Sequence, residues 1–306
     1  MDYEPIRKGE VSNFLVKPNL ADYQKTIDAF QWEDINRELD GFDGGGLNIA
    51  YEVLDRHIKT PLKDKIALYW EGKGGESEAY TFHDLSRLTN RFANALTNLG
   101  TNKGDRIFAY MDRTPEIFIS LLGALKMGGV IGPLFSAFGP DAVKDRLVDS
   151  EARVLITTPK LVTTVHEILD DLPALEKIIV VNREKASYEF KDKELSYESL
   201  MQEASEVFEI EKTDKEDYAI MHYTSGTTGK PKGVAHVHEA VVGHYATAKY
   251  VLDLHPEDIY WCTADPGWIT GHSYIVYAPL MSGITTLMFE GAPNYPKPDK
   301  LWKVVK

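Results

Sequence analysis

From about residue 60 onward, short β-branched or aromatic runs alternate with longer amphipathic segments. That alternation predicts an α/β chain of βαβ units in a layered, parallel-sheet architecture. The strand-like runs are Ile66–Trp70, Arg106–Met111, Val130–Gly132, Val154–Thr157, Ile178–Val181, Asp217–His222, Ile259–Thr263 and Thr285–Phe289. Most are short and apolar, as parallel strands covered on both faces are. The plainest helix starts after Thr81, where Thr81 and Asp84 have the spacing of a capping box, and stops at Gly100. Leu85, Leu88, Phe92, Leu96 and Leu99 give it one apolar stripe. The spacing predicts further helices over Pro115–Met127, Pro140–Asp149, Leu161–Leu169, Tyr197–Ala204, Glu239–Leu252 and His272–Met281. Pro115 and Pro140 stand in first turns, where a missing N–H is harmless. The first 40 residues lack the alternation, so residues 1–60 read as an irregular or helical arm packed on a body that spans 61–306.

Composition narrows the function. At 306 residues and 43% hydrophobic, the chain can bury a substantial core. Its formal charge of −13 argues against nonspecific binding to nucleic acid or to an anionic membrane. Any anionic substrate must therefore be held by a local cluster of donors. Cys262 is the one cysteine, which excludes an internal disulfide, and Met1-Asp-Tyr-Glu-Pro5 lacks the basic start of a secretory signal. Both point to the cytoplasm. Cys262 sits in an apolar, aromatic run and reads as a small packed residue. The weakly charged stretch from Phe118 to Gly139 is broken by Lys126 and by glycines and prolines, so it reads as a buried helix plus a strand.

The richest chemistry lies in Tyr223-Thr-Ser-Gly-Thr-Thr-Gly-Lys-Pro-Lys-Gly233. Glycines let consecutive N–H groups turn toward one anion, hydroxyls add donors, and lysines supply charge. Thr224, Ser225, Gly226, Thr227, Thr228, Gly229, Lys230 and Lys232 are the candidate phosphate-binding residues. Gly226 and Gly229 are separated by two residues and Lys230 precedes Pro231, so this is not the Walker pattern. A solvated surface loop is the ordinary reading of such a composition taken alone. His236 and His238 share one side of a strand, but Val242 stands where a zincin would place its second histidine, so no metal site is expected.

The loop resembles the signature of the adenylate-forming superfamily, which includes acyl-CoA synthetases. Three further stretches, in the same order, are similar to AMP-forming acetyl-CoA synthetases: Gly45-Gly-Leu-Asn48 with Leu54-Asp-Arg-His57, the run from Tyr260 through Trp268 to Tyr274, and Phe289-Glu-Gly-Ala-Pro-Asn294. The resemblance implies a ligase that joins acetate to ATP, releases pyrophosphate and passes the acetyl group to CoA, with Mg2+ assisting. It also implies an acyl pocket at Trp268, Ile269, Thr270 and His272, and CoA contacts at Phe135, Thr270 and Asn294. Propionate or another short acid is an alternative substrate. Phe135-Ser-Ala-Phe-Gly-Pro140 departs from the family's glycine-rich loop, and Thr163 to His166 stand where the family has two arginines facing CoA phosphates; Lys160 is a possible substitute. The family's adenine motif, ribose aspartate, hinge and mobile domain with its catalytic lysine are not found. The resemblance thus implies an N-terminal portion, for which a noncatalytic polyphosphate-binding fragment is the competing reading.

Overall fold

The computed structural model describes residues 14–225, 230–295 and 297–305. The chain enters through α1 (Tyr23–Ala29), α2 (Trp32–Asn36) and a π-helical turn, Tyr51–Asp55, that runs into α3 (Arg56–Ile58). Strands β1 (Ile66–Glu71) and β2 (Ser77–Thr81) precede α4 (Phe82–Asn98). Then come β3 (Arg106–Tyr110), α5 (Pro115–Lys126), β4 (Val130–Leu134), α6 (Pro140–Asp149), β5 (Val154–Thr157), α7 (Val162–His166), β6 (Lys177–Val180), β7 (Glu194–Ser196) and α8 (Tyr197–Glu203). The last third holds β8 (Tyr218–Ser225), β9 (Pro231–Val237), α9 (Ala240–Tyr250), β10 (Ile259–Trp261), α10 (Ile269–Gly271), a π-helical segment His272–Tyr277, α11 (Ala278–Met281), β11 (Thr285–Phe289) and α12 (Lys300–Val304).

The strands form two sheets, ordered β7-β6-β5-β3-β4-β8-β9 and β10-β11-β1-β2. Pairing is parallel except for β8 with β9 and β1 with β2. Along the central strands the apolar residues alternate between two cores. Ile107, Ala109, Val154 and Ile156 face the larger one with α4 and α5, whereas Phe108, Tyr110 and Leu155 face the smaller one with α6 and α7. These strands are buried on both sides, which is why they read as continuous apolar runs. The alternation also sends the helix after β3 to one face and the helix after β4 to the other. A crevice therefore opens at the carboxyl ends of those strands, where open α/β sheets place ligands.

The capping box is present: the Asp84 amide donates to Thr81 Oγ1 at 3.0 Å and the Thr81 amide to Asp84 Oδ2 at 3.1 Å. Gly100 ends this helix with φ +81. Three strands escape the apolar pattern. β2 and β9 are polar edge strands that pair antiparallel, and β7 is only three residues long. The segment expected as one helix over His272–Met281 starts with a π-helical turn, and the helix expected over Leu161–Leu169 stops at His166.

The N-terminal signature is built into this frame. Asn48 Nδ2 donates to the Leu125 carbonyl at 2.9 Å, and Asn48 Oδ1 accepts from the Ala50 amide at 3.0 Å. Lys126 is fully buried, yet its ammonium donates to Asp55 Oδ1 at 2.9 Å and Asn90 Oδ1 at 2.7 Å. Burial lowers its pKa, and the Asp55 carboxylate opposes that shift. Arg56 reaches Glu52 Oε2 at 3.1 Å and the Met281 carbonyl at 2.5 Å, which ties the same turn to α11.

Candidate active site

The crevice gathers the stretches singled out by chemistry. β4 and β8 are parallel neighbours in the register Ile131 with Ile220. The residues that follow them, Phe135 and the glycine-rich run, therefore leave the sheet at the same edge. Antiparallel pairing of Thr224 with Lys232 and Ser225 with Pro231 makes β8 and β9, which flank that run, a hairpin. Thr224, Lys230 and Lys232 are exposed. Gly226, Thr227, Thr228 and Gly229 lie outside the described residues, as does the side chain of Ser225.

The root of the hairpin is fastened more firmly than its polar sequence suggests. Tyr223 Oη donates to Asp149 Oδ2 at 2.8 Å, at the end of α6. Burial, reinforced by that carboxylate, pushes the phenol's pKa up. The Arg146 guanidinium lies 4.3 Å from the centre of the Phe138 ring and 5.7 Å from that of Tyr223. One cation thus packs the loop after β4 against the hairpin root. A cavity of about 390 Å³ separates Lys230 and Pro231 from α6 and is also lined by Lys144 and Asp149.

The Pro266–Gly271 turn lies beside Phe135. Trp268 is 56% and Ile269 47% exposed, and Thr270 is exposed too. The Trp268 ring sits 5.9 Å from Phe135, which in turn meets Phe138 edge-on at 5.7 Å. A Cβ at Gly267 would collide with the backbone of Leu134 and Phe135, and one at Gly271 with that of Asp265 and Pro266. Both positions therefore need glycine for close approach of one backbone segment to another.

Arg113, in the loop after β3, holds this turn and carries no motif in the sequence. Its Nη2 is 3.2 Å from Asp265 Oδ2, its Nη1 donates to the Gly291 carbonyl at 3.1 Å, and its own carbonyl accepts from Trp70 Nε1 at 2.9 Å. Asp265 is only 6% exposed. Burial raises its pKa, with the Gly267 amide and Arg113 acting in the opposite direction. Through Gly291 the same arginine steadies the turn that carries Asn294, which is exposed.

His272 is fully buried behind Ile269 and stacks on His222 with ring centres 4.3 Å apart. His236 and His244 ring centres lie 6.4 Å and 6.3 Å from it. Among the described residues, no group of three or more His, Cys, Asp or Glu side chains could hold a metal ion. In the Thr163 to His166 stretch, which by resemblance replaces the family's two arginines, His166 Nε2 is 2.6 Å from Glu194 Oε1. That carboxylate also accepts from Tyr188 Oη at 2.7 Å. Lys160 is exposed, and Cys262 is half-buried against the larger core.

Comparison with known proteins gives one family throughout. The AMP-binding enzyme family matches residues 54–306. The acetyl-coenzyme A synthetase of Bacillus subtilis is 44% identical over 274 residues, covering 89% of this chain and 47% of that protein. Acetyl-coenzyme A synthetase 2 of Pseudomonas aeruginosa is 41% identical over 276 residues, covering 86% of this chain and 43% of that protein. A solved Brucella canis acyl-CoA synthetase superposes with a TM-score of 0.81 at 28% identity, covering 88% of this chain and 48% of its own. The chain spans less than half the length of these relatives. No helix among the described residues is long and apolar enough to cross a membrane. The chain belongs to the AMP-binding enzyme family.

Proposed function

We propose that this chain is the N-terminal part of an acetate:CoA ligase that forms AMP. One observation carries the reading. The stretch assigned by resemblance to ATP phosphates follows β8, and the stretch assigned to the acyl group, which follows β10 of the other sheet, comes beside β8's neighbour β4, where Trp268 packs on Phe135. The named relatives support acetate as the acid.

In this reading Thr224, Ser225, Lys230 and Lys232, with the residues between them, grip the β- and γ-phosphates. Adenylation brings a carboxylate against the α-phosphate, so positioned cations and N–H donors supply most of the help. Mg2+ enters with ATP as the counterion of its phosphates. Trp268, Ile269 and Thr270 form one wall of the acyl pocket. Phe135, Thr270 and Asn294 meet CoA, and His272 acts from beneath. The division into an arm over 1–60 and a partial adenylation domain over 61–306 belongs to the same reading. So does a cytoplasmic setting, supported by the lone Cys262.

The test is to give the enzyme, extended to the length of its relatives, acetate, ATP, Mg2+ and CoA. AMP, pyrophosphate and acetyl-CoA are expected. Formation of ADP and phosphate, or indifference to every short carboxylate, would overturn the proposal. Competition between acetate and propionate separates the two substrate assignments.

A further inference from the structure

Beneath the crevice, polar contacts define a hydrogen-bonded series whose direction can be worked out. Ser273 Oγ is 3.0 Å from the Ile269 carbonyl, which can only accept, so the hydroxyl proton points there. Ser273 Oγ is also 3.2 Å from His272 Nε2 and must accept from it, which places the imidazole proton on Nε2. Nδ1 of the neutral ring is then bare. It lies 2.7 Å from His222 Nε2 and accepts from that nitrogen. Every step has one donor and one acceptor.

The surroundings keep both rings neutral. His236 from β9, His244 from α9 and Tyr277 from the π-helical segment pack around His272, the last at 5.4 Å between ring centres. Burial, followed by the neighbouring imidazoles, holds His272 well below the ordinary histidine range, and burial first, then His236, brings His222 to about 4. A backbone hydrogen bond at Trp268 opposes the shift at His272. Among the described residues, His236 Nδ1, His244 Nδ1 and Tyr277 Oη are buried without hydrogen-bond partners, whereas His222 and His272 are bonded to each other across elements.

We propose that His222, His272 and Ser273 are positioning residues that form a one-way hydrogen-bond series from the root of the phosphate-loop hairpin to the Ile269 carbonyl in the acyl wall. His222 lies on β8, three residues before the strand ends at Ser225, and Ile269 opens α10. The series fixes how far the acyl wall stands from the strand that carries the loop. This rests on the proposed function only for what the two ends bind.

Two experiments test it. Ring-selective 15N NMR on the 306-residue chain should show protons on Nε2 of His222 and His272 and a bare Nδ1 on His272, unchanged down to about pH 5. A proton on Nδ1 of His272, or titration of either ring above about pH 6, would overturn the series. Hydrogen exchange then reads the coupling. His272→Phe should raise amide exchange at His222 to Thr224 at least ~10-fold over Thr286→Val. The comparison variant removes a buried bond of 3.1 Å to the Ile275 carbonyl without touching His222. Equal exchange in the two variants would reduce His272 to ordinary packing.

In the extended enzyme, Ser273→Ala should raise the acetate KM about five- to tenfold and leave the ATP KM within about twofold, the loss of one positioning bond. Parallel changes in both constants, or in neither, would contradict a positioning role. A wild-type enzyme that does not use acetate would refute the functional reading alone, because the NMR and exchange results still decide the series.

Discussion

The Asn48 to His57 turn and the Tyr223 to Gly233 hairpin both carry sequence signatures, but they treat their polar groups in opposite ways. In the first, Asn48, Asp55 and Arg56 turn inward and end on Leu125, Lys126, Glu52 and Met281. In the second, Thr224, Lys230 and Lys232 are exposed while Tyr223 and His222 anchor the base. A signature can thus mark a clasp or a site. Burial and partners tell the two apart: a satisfied buried network specifies the fold, whereas exposed donors at a strand's carboxyl end are where the proposed function puts a ligand.

The widest loss should come from acid, which acts on both regions at once. His57 in the clasp, His222 beneath the hairpin, and His238 and His244 nearby are lowered to about 4, in each case chiefly by burial. The unfolded chain therefore takes up protons first. Stability is full above about pH 6.5 and falls as pH drops toward 4, by up to ~1.4 kcal/mol per pH unit for each histidine. Urea midpoints measured between pH 7 and 5 should fall steeply, and a flat profile would contradict the buried, neutral assignment.

Next in size is the clasp. Asp55→Ala strands the Lys126 ammonium in the interior and should cost about 3–5 kcal/mol, read by chemical denaturation. Lys126→Met in the same background should recover most of that loss. If Asp55→Ala proves neutral, the contrast between clasp and site collapses. A smaller effect, about 2 kcal/mol after allowance for the partial exposure of Arg113, is expected for Arg113→Met, because Asp265 is left buried and unpaired. Adding Asp265→Asn should restore part of it.

The contrast also explains what could be read from the chain. Ile107 and Phe108, buried on opposite faces, announce β3 because both sides of the sheet are covered. Lys232, Gly233 and Val234 in β9 do not announce a strand, since an edge strand with an exposed face has no apolar pattern to show. The glycine-rich run and the Pro266–Gly271 turn are legible because their chemistry is local in sequence. Arg113 and Asp265 stand 152 positions apart by number, and His222 and His272 stand 50 apart. Nothing in the spacing of either pair predicts contact, which only the fold creates.

The most direct test of the central claim is ATP titration of the 306-residue chain and of its Lys230→Ala variant, with thermal stability followed in parallel. The account predicts that Lys230→Ala leaves stability within about 0.5 kcal/mol and weakens ATP binding about tenfold or more. Unchanged ATP affinity would contradict the assignment of Lys230 to the phosphate site.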